Sequence, residues 1–187
     1  RILEHAAPYR IDQRDCCIKR LPGALDCYGV AGLGAGDRQL ERILEAATDD
    51  IRAELLDVLS EDSGALEPYV AHGRARSIEQ KWRDLHQSRR WSVYYLWRDG
   101  VPYPEHLARC PRTVAALEAW PRCEVPGASP NAVFSILDTR TRIPPHTGVN
   151  NTRLIVHLPL IVPSNCGFRV GGEQRQWEPG KAFVFDD

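Results

Sequence analysis

The spacing of hydrophobic positions changes along the chain, and different patterns lie on either side of about residue 130. In the first part, a segment from Asp37 to about Ser60 places apolar residues at three- and four-residue steps. These positions are Leu40, Ile43, Leu44, Ala47, Ile51, Leu55 and Leu59. Such a stripe predicts an amphipathic helix with Asp37 as its N-cap. A shorter helix is predicted from Cys110 to about Trp120, because Pro121 then ends it.

Short predicted strands separated by turn residues fill the second part of the chain. They cover residues 132–137, 153–162, 167–170, 174–177 and 182–185. Gly171-Gly172 and Glu178-Pro179-Gly180 provide tight turns between the last three runs. An earlier run at 91–97 is rich in β-branched and aromatic residues and predicts one more strand. Closely spaced strands of this kind predict an antiparallel sandwich or jelly roll, so the predicted fold class is α+β.

The sequence therefore predicts two portions. Residues 1–125 are mainly helical with one strand near 91–97, and residues 126–187 are built from strands. Within the first portion, residues 24–36 contain four glycines ahead of a helix, as a phosphate-binding loop does. The Lys-Ser/Thr pair of such a loop does not follow, and no convincing strand precedes it. This segment predicts a flexible connection.

Composition and charge narrow the function classes. A hydrophobic content of 43% and a charged content of 26% are typical of globular domains. The net charge of −1 gives no overall attraction to nucleic acid. The basic and aromatic stretch 81–98 is therefore interpreted as a packed strand and not as a surface for single-stranded nucleic acid. No apolar run reaches the roughly 20 residues that a membrane-spanning helix needs.

The cysteines and the first residue bear on cellular context. Six cysteines occur without any CxxC pair, which argues against a structural zinc site. No signal-peptide pattern is seen at the start of the sequence, so the thiols are interpreted as reduced and the protein as cytoplasmic. The chain begins with Arg1 and contains no methionine, and we expect it to be a piece of a longer protein.

His146 is the first candidate for chemistry. It follows Pro144 and Pro145, and each proline locks its own φ, so the histidine is held in place before any ligand arrives. That suits a metal ligand. The same sequence is also compatible with an ordinary loop histidine at His146. His157, in the next apolar strand, is equally compatible with a core histidine whose hydrogen bonds are satisfied. Periodicity does not decide between these alternatives.

The residues around His146 resemble a known family. The stretches in question read PPHTGVNNTRLIVHLPL, NCGFRVG and WEPGKAFVFDD. They are similar to the aspartyl/asparaginyl β-hydroxylases, which are Fe(II)- and 2-oxoglutarate-dependent dioxygenases. The similarity is dense from Phe134 to Asp187 and looser back to about Leu44, through WSVYYLWRDG and CPRT. It implies a helical portion packed on a double-stranded β-helix (jelly roll), incomplete at the C-terminus, with Fe(II) and 2-oxoglutarate as cofactors.

The resemblance also implies roles for individual residues. His146 matches an iron ligand. Gly148 stands where most oxygenases of this kind have a carboxylate ligand, but H-T-G is the pattern of the aspartyl β-hydroxylases. Ser135 matches a serine that hydrogen-bonds 2-oxoglutarate, and His157 matches a histidine near the carboxylate of the oxo acid. Arg153 matches an arginine that meets an acidic substrate.

Three features qualify these roles. Ile155 stands where the animal enzyme has a second arginine, which leaves open the selectivity for aspartyl side chains. The second iron-binding histidine, and an arginine for the far carboxylate of 2-oxoglutarate, are expected after Asp187. The 187 residues alone are therefore expected to be inactive. From the sequence alone, Ser135 would equally suit the solvent face of a strand.

Two functions remain open at this point. The first is a dioxygenase that hydroxylates Asp or Asn side chains of a peptide or protein substrate, or a small acidic molecule. The second is a non-catalytic jelly-roll module that binds a carboxylate ligand. Neither function involves nucleic acid or a membrane span.

Overall fold

The structure, a computed structural model, describes residues 24–30, 38–70, 80–119, 124–147 and 154–185. The helices in these ranges are α1 (Arg38–Ala46), α2 (Thr48–Glu61), α3 (Pro104–Arg109) and α4 (Pro111–Glu118). The strands in the same ranges are β1 (Ala24–Val30), β2 (Glu67–Pro68), β3 (Trp91–Arg98), β4 (Val101–Pro102), β5 (Asn131–Leu137), β6 (Leu154–Pro159), β7 (Gly167–Val170), β8 (Glu173–Gln176) and β9 (Phe183–Phe185). Single 3-10 turns lie at Ser63–Ala65 and Gln80–Trp82.

Seven of the described strands form one sheet, in which all pairs are antiparallel. The order is β2-β3-β5-β1-β6-β9, and β4 pairs with the end of β3. β1 lies inside this sheet, because Ala24 pairs with Ser135 of β5 on one side and with Pro159 of β6 on the other. β7 and β8 form a separate hairpin, whose turn contains Gly171 at a φ of 57°.

The helices cover one face of the large sheet. Successive side chains of a strand point to opposite faces, so alternate residues of β3, β5 and β6 face the helices. The core between sheet and helices contains residues that are at most 7% exposed: Leu44, Ile51, Leu55, Val58, Tyr94, Leu96, Ala116, Leu117, Phe134, Val156 and Leu158. A β-bulge between Tyr95 and Trp97 turns Trp97 towards the same core.

The opposite face of the sheet carries a different set of side chains, and we call it the site face. Cross-strand partners share a face, and the register pairs Val93 with Ser135, and His157 with Phe183. The site face is formed by Trp91, Val93, Ser135, Ile155, His157, Phe183 and Phe185. The β7–β8 hairpin packs against its β9 end, because Phe168 stacks on Phe183 with ring centroids 4.7 Å apart.

A buried carboxylate joins α2 to α4. Glu54 is only 3% exposed, and its two oxygens accept hydrogen bonds from the first turn of α4. The backbone N–H groups of Arg112 and Thr113 each donate at 2.8 Å, and the Thr113 hydroxyl donates at 2.6 Å. These N–H groups have no partner inside their own helix, and a negative charge suits the positive end of the helix dipole. Glu54 therefore fixes how the two helices meet.

Several predictions are confirmed. The chain is α+β with antiparallel sheets, the strand predicted at 91–97 is β3, and the strands predicted after residue 131 are β5 to β9 with small shifts of their ends. The helix predicted from Cys110 is α4. The described residues contain one large sheet and one hairpin, and the double-stranded β-helix stays a prediction. The large sheet takes strands from both sides of residue 125, the predicted boundary between the two portions.

Two predictions need correction. The single helix predicted from Asp37 to about Ser60 is divided at Ala47 into α1 and α2. Here the Thr48 hydroxyl donates to the carbonyl of Glu45 at 2.8 Å, and hydroxyls that bond back to the preceding turn bend helices. The flexible connection predicted at 24–36 is also wrong for residues 24–30, which are β1. Its partners β5 and β6 are more than 100 residues away in the chain, so no local sequence pattern predicts the pairing.

None of the described helices combines the length and the apolar character that crossing a membrane requires.

Candidate functional site

His146 presents one defined ring nitrogen. Its Nδ1 lies 2.8 Å from the carbonyl oxygen of Pro144, and a carbonyl only accepts, so Nδ1 carries the proton and donates. In the neutral ring, the lone pair is then on Nε2, the atom that can bind a metal. The half-buried ring also meets the indole of Trp82 edge to face, with centroids 5.2 Å apart. The two prolines restrict the backbone of His146, and the contacts with Pro144 and Trp82 hold the orientation of its ring.

Ser135 is buried on the site face and not on a solvent face, at 3% exposure. The indole Nε1–H of Trp91, on the neighbouring strand, donates to its Oγ at 3.0 Å. Trp91 in turn stacks on Tyr69, with centroids 3.9 Å apart. Because the Ser135 oxygen accepts from Trp91, the hydroxyl proton is left to donate to another group.

His157 lies among aromatic rings. It is 8% exposed, and its closest ring neighbours are Phe185 at 4.7 Å and Phe183 at 5.5 Å between centroids, both edge to face. Phe168 and Trp177 lie at 6.2 Å. A polar ring in such surroundings interacts strongly with any charged group that reaches it, because little water competes.

The structure brings Ser135 and His157 onto one face. β1 separates their strands, and Ser135 is in register with Pro159, two residues beyond His157, so their backbones are about 12 Å apart. A small molecule with a polar group at each end can contact both. His146 connects to the same region through rings, since Trp82 lies 6.5 Å from Trp91, the partner of Ser135. Arg153 and Gly148 lie outside the described residues.

A cavity of about 300 Å³ opens beside this region. Its apolar wall consists of Phe168, Val170, Phe183, Val184 and Phe185, and Glu173 and Arg175 line it as well. The two charged side chains pair with each other at 2.7 Å and are mostly exposed. The cavity therefore offers aromatic surface next to His157 and a polar edge towards solvent.

The residues present fit a metal only in part. His146 has the geometry of one ligand, but the described ranges contain no group of three or more His, Cys, Asp or Glu side chains that converge. A complete metal site would need a further ligand from outside these ranges. The assignment of His146 as an iron ligand stays a prediction.

Two site residues were missed by the sequence reasoning. Trp91 and Trp82 were interpreted only as parts of a basic and aromatic stretch, yet one bonds Ser135 and the other packs on His146. One signal was available for Trp91. A buried indole usually finds an acceptor, so a tryptophan in a buried strand implies a polar partner on the same face.

Comparison with known proteins identifies the family. The aspartyl/asparaginyl β-hydroxylase family model matches residues 45–187. The Mus musculus aspartyl/asparaginyl beta-hydroxylase is 32% identical over 171 residues, which cover 86% of this chain and 21% of that protein. The Homo sapiens aspartate beta-hydroxylase domain-containing protein 2 is 36% identical over 112 residues, or 59% of this chain and 30% of that protein.

A bacterial relative is also similar. The ornithine lipid ester-linked acyl 2-hydroxylase of Rhizobium tropici is 33% identical over 140 residues, which cover 73% of this chain and 45% of that protein. The chain thus spans less than half the length of each of these three relatives. The family match extends over most of the chain and includes every candidate residue on the site face, and the chain belongs to the aspartyl/asparaginyl β-hydroxylase family.

Proposed function

We propose that the protein is an Fe(II)- and 2-oxoglutarate-dependent dioxygenase that hydroxylates Asp or Asn side chains of peptides, or a related acidic substrate. The observation that carries the proposal is the pair Ser135 and His157, both buried on one face, with Ser135 linked to His146 through the rings of Trp91 and Trp82. Family membership supports the reaction class.

In this proposal His146 holds the iron through Nε2, and the second ligand comes from outside the described residues. Bound Fe(II), with the oxo acid as two-electron donor, would supply activation of dioxygen, so that one oxygen atom would enter a C–H bond of the substrate and the other would enter succinate as 2-oxoglutarate loses CO2. The contacts of His146 with Pro144 and Trp82 keep its ring in the ligating orientation.

Ser135 and His157 bind 2-oxoglutarate in this proposal. The Ser135 hydroxyl donates to a carboxylate, because a carboxylate only accepts and Oγ keeps its proton while it accepts from the Trp91 indole. A ring nitrogen of His157 orients the other end of the molecule. The surrounding rings of Phe183, Phe185 and Phe168 keep water away, which strengthens these hydrogen bonds.

The test is the substitution His146→Ala in the intact protein. We expect loss of Fe(II) binding and of 2-oxoglutarate-dependent succinate release, measured by metal titration and by NMR detection of succinate. His106→Ala is the matched control, because His106 lies in α3 and stacks on Tyr94, a core residue on the helix side of the sheet, with ring centroids 3.9 Å apart. Undiminished succinate release by His146→Ala would contradict the proposal. Binding of 2-oxoglutarate without any succinate release by the wild type would favour the non-catalytic carboxylate-binding alternative.

A second substrate class has an observation in its favour. Ile155 is 2% exposed on the site face, and it pairs with Phe185 across β6 and β9. An apolar residue here suits an aliphatic group better than a carboxylate. The Rhizobium tropici relative is named for hydroxylation of an acyl chain. An acyl-chain substrate is therefore the second candidate.

The two candidates separate in one assay of the intact protein. Succinate release is measured with an Asp-containing peptide in one reaction and with an acyl lipid in the other. Stimulation by the peptide alone supports the first candidate, and stimulation by the lipid alone supports the second.

A further inference from the structure

Trp177 follows β8 directly and lies beside the candidate site. Its ring stacks on Phe168 with centroids 5.3 Å apart and an angle of only 7° between the planes. It also lies 6.2 Å from the ring of His157. On its other side, Trp177 and Leu137 both pack against Cys166, which is 3% exposed. These contacts fix the indole in one place.

The indole nitrogen of Trp177 is buried without an acceptor. Nε1 has no hydrogen-bond partner anywhere in the described part of the chain. An indole N–H can only donate, so it cannot be satisfied by a neighbouring donor. Buried donors are rarely left unpaired in native proteins, and an exception calls for a ligand, an ion or a water.

The position of Trp177 indicates which of these it is. Leu137 is two residues beyond Ser135 on β5 and therefore lies on the same face, while His157 borders the indole from β6. The indole thus lies beside His157, one of the two residues that the proposed function assigns to 2-oxoglutarate, and it shares the neighbour Cys166 with Leu137, which stands on the same face as Ser135. Among the acceptors expected there, a carboxylate oxygen forms the strongest hydrogen bond with an N–H group, because it carries a negative charge.

We infer that the Trp177 indole N–H is a third donor to the bound dicarboxylate, beside Ser135 and His157. This inference rests on the proposed function. It makes Trp177 a binding residue, whereas its stacking on Phe168 alone would make it a packing residue only.

The experiment compares Trp177→Phe with the wild type in the intact protein. The dissociation constant for 2-oxoglutarate is measured by calorimetry with Fe(II) under nitrogen, so that no turnover occurs. Phenylalanine keeps most of the stacking surface and removes the N–H, and we expect binding about tenfold weaker or more, since a hydrogen bond to a charged group is lost. Trp97→Phe is the control, because it removes an indole N–H from the helix side of the sheet. Its dissociation constant should match the wild type.

A measurement on the wild type keeps the inference testable if Trp177→Phe does not fold. The indole ¹H–¹⁵N signal of Trp177, identified by its contacts to Phe168, should move downfield on addition of 2-oxoglutarate, and its proton should exchange more slowly with solvent. An unmoved signal at saturation, or equal affinity of Trp177→Phe and wild type, overturns this inference and leaves the proposed function standing. A wild-type protein that does not bind 2-oxoglutarate overturns both.

Discussion

At the scale of single residues, the bond between Trp91 and Ser135 shows how the site face is prepared. The serine oxygen is occupied by the indole N–H at 3.0 Å, so its proton has a defined role before any ligand binds. A hydroxyl has one proton and two lone pairs, so the bond from Trp91 leaves the proton available to donate to a ligand. The same bond also satisfies an indole that is 3% exposed.

The substitution Ser135→Ala tests this double role. It leaves the Trp91 N–H buried without an acceptor, so we expect a loss of about 1–3 kcal/mol in the free energy of unfolding, together with weaker 2-oxoglutarate binding. Ser92→Ala is the control. Ser92 follows Trp91 on β3 and is buried like Ser135, but its hydroxyl donates to the carbonyl of Arg89. Urea denaturation and calorimetry should show that both substitutions destabilise and that only the first weakens binding. Equal binding by the two variants would contradict the assignment.

Cys110 gives a prediction about pH. Burial, with the nearby Glu54 carboxylate as a second cause, raises the pKa of the Cys110 thiol to about 12. The unfolded chain loses this proton near its ordinary pKa of about 8.5, so between these values the folded state binds more protons and stability falls as pH rises. The contribution is fully present below about pH 8.5.

The measurement is urea denaturation of the wild type and of Cys110→Ala at pH 8, 9 and 10. The wild type should lose stability more steeply, by up to roughly 1 kcal/mol per pH unit above the unfolded pKa. Parallel slopes for the two proteins would show that Cys110 does not titrate in this way.

At the scale of elements, the hydrogen bonds that Glu54 accepts determine how α4 docks on α2. Neither helix has a side-chain cap of its own at its N-terminus. The carboxylate of Glu54 replaces the missing cap of α4 from a distance of 58 residues along the chain. Pro111 suits the first turn of a helix, and the contact with α2 supplies the acceptor that the residues next to α4 do not provide.

Glu54→Ala removes this cap. We expect a loss of about 2–4 kcal/mol in the free energy of unfolding, because several donors of α4 are left without an acceptor inside the protein. Glu61→Ala is the control on the same helix, since the Glu61 carboxylate is 67% exposed and its ion pair with Arg109 spans 3.5 Å. The control should cost less than about 1 kcal/mol. Equal effects in urea denaturation would show that the Glu54 bonds do not matter for stability.

At the scale of the whole molecule, the large sheet separates two tasks. The helices bury one face with a dense aliphatic core, and the site face carries the polar and aromatic side chains. Stability and ligand binding should therefore respond to different substitutions.

Leu55→Ala tests this separation. Leu55 is fully buried under the sheet, and a cavity there should cost about 2–5 kcal/mol. The folded variant should nevertheless bind 2-oxoglutarate with the wild-type dissociation constant, measured by calorimetry well below its melting temperature. A large loss of affinity in the folded variant would show that the two faces are coupled.

Much of this molecule was determined by the sequence itself. Apolar steps of three and four marked α1 and α2 as helical, and short runs between glycines and prolines marked β5 to β9. The P-P-H-T-G motif and the strand after it were specific enough to indicate the family, which the match over residues 45–187 confirms. These signals are local, because periodicity and turn chemistry depend on residues close together in the chain.

Only the tertiary structure decided which distant residues meet. Alternation tells which side chains of one strand share a face, but not that β1 would lie between β5 and β6, nor that Ser135 and His157 would therefore share a face. The partners of Trp91 and Glu54 lie 44 and 58 residues away. Such contacts depend on strand order and helix docking, which are settled when the whole core packs and the buried polar groups find partners, so no single stretch of the chain contains them.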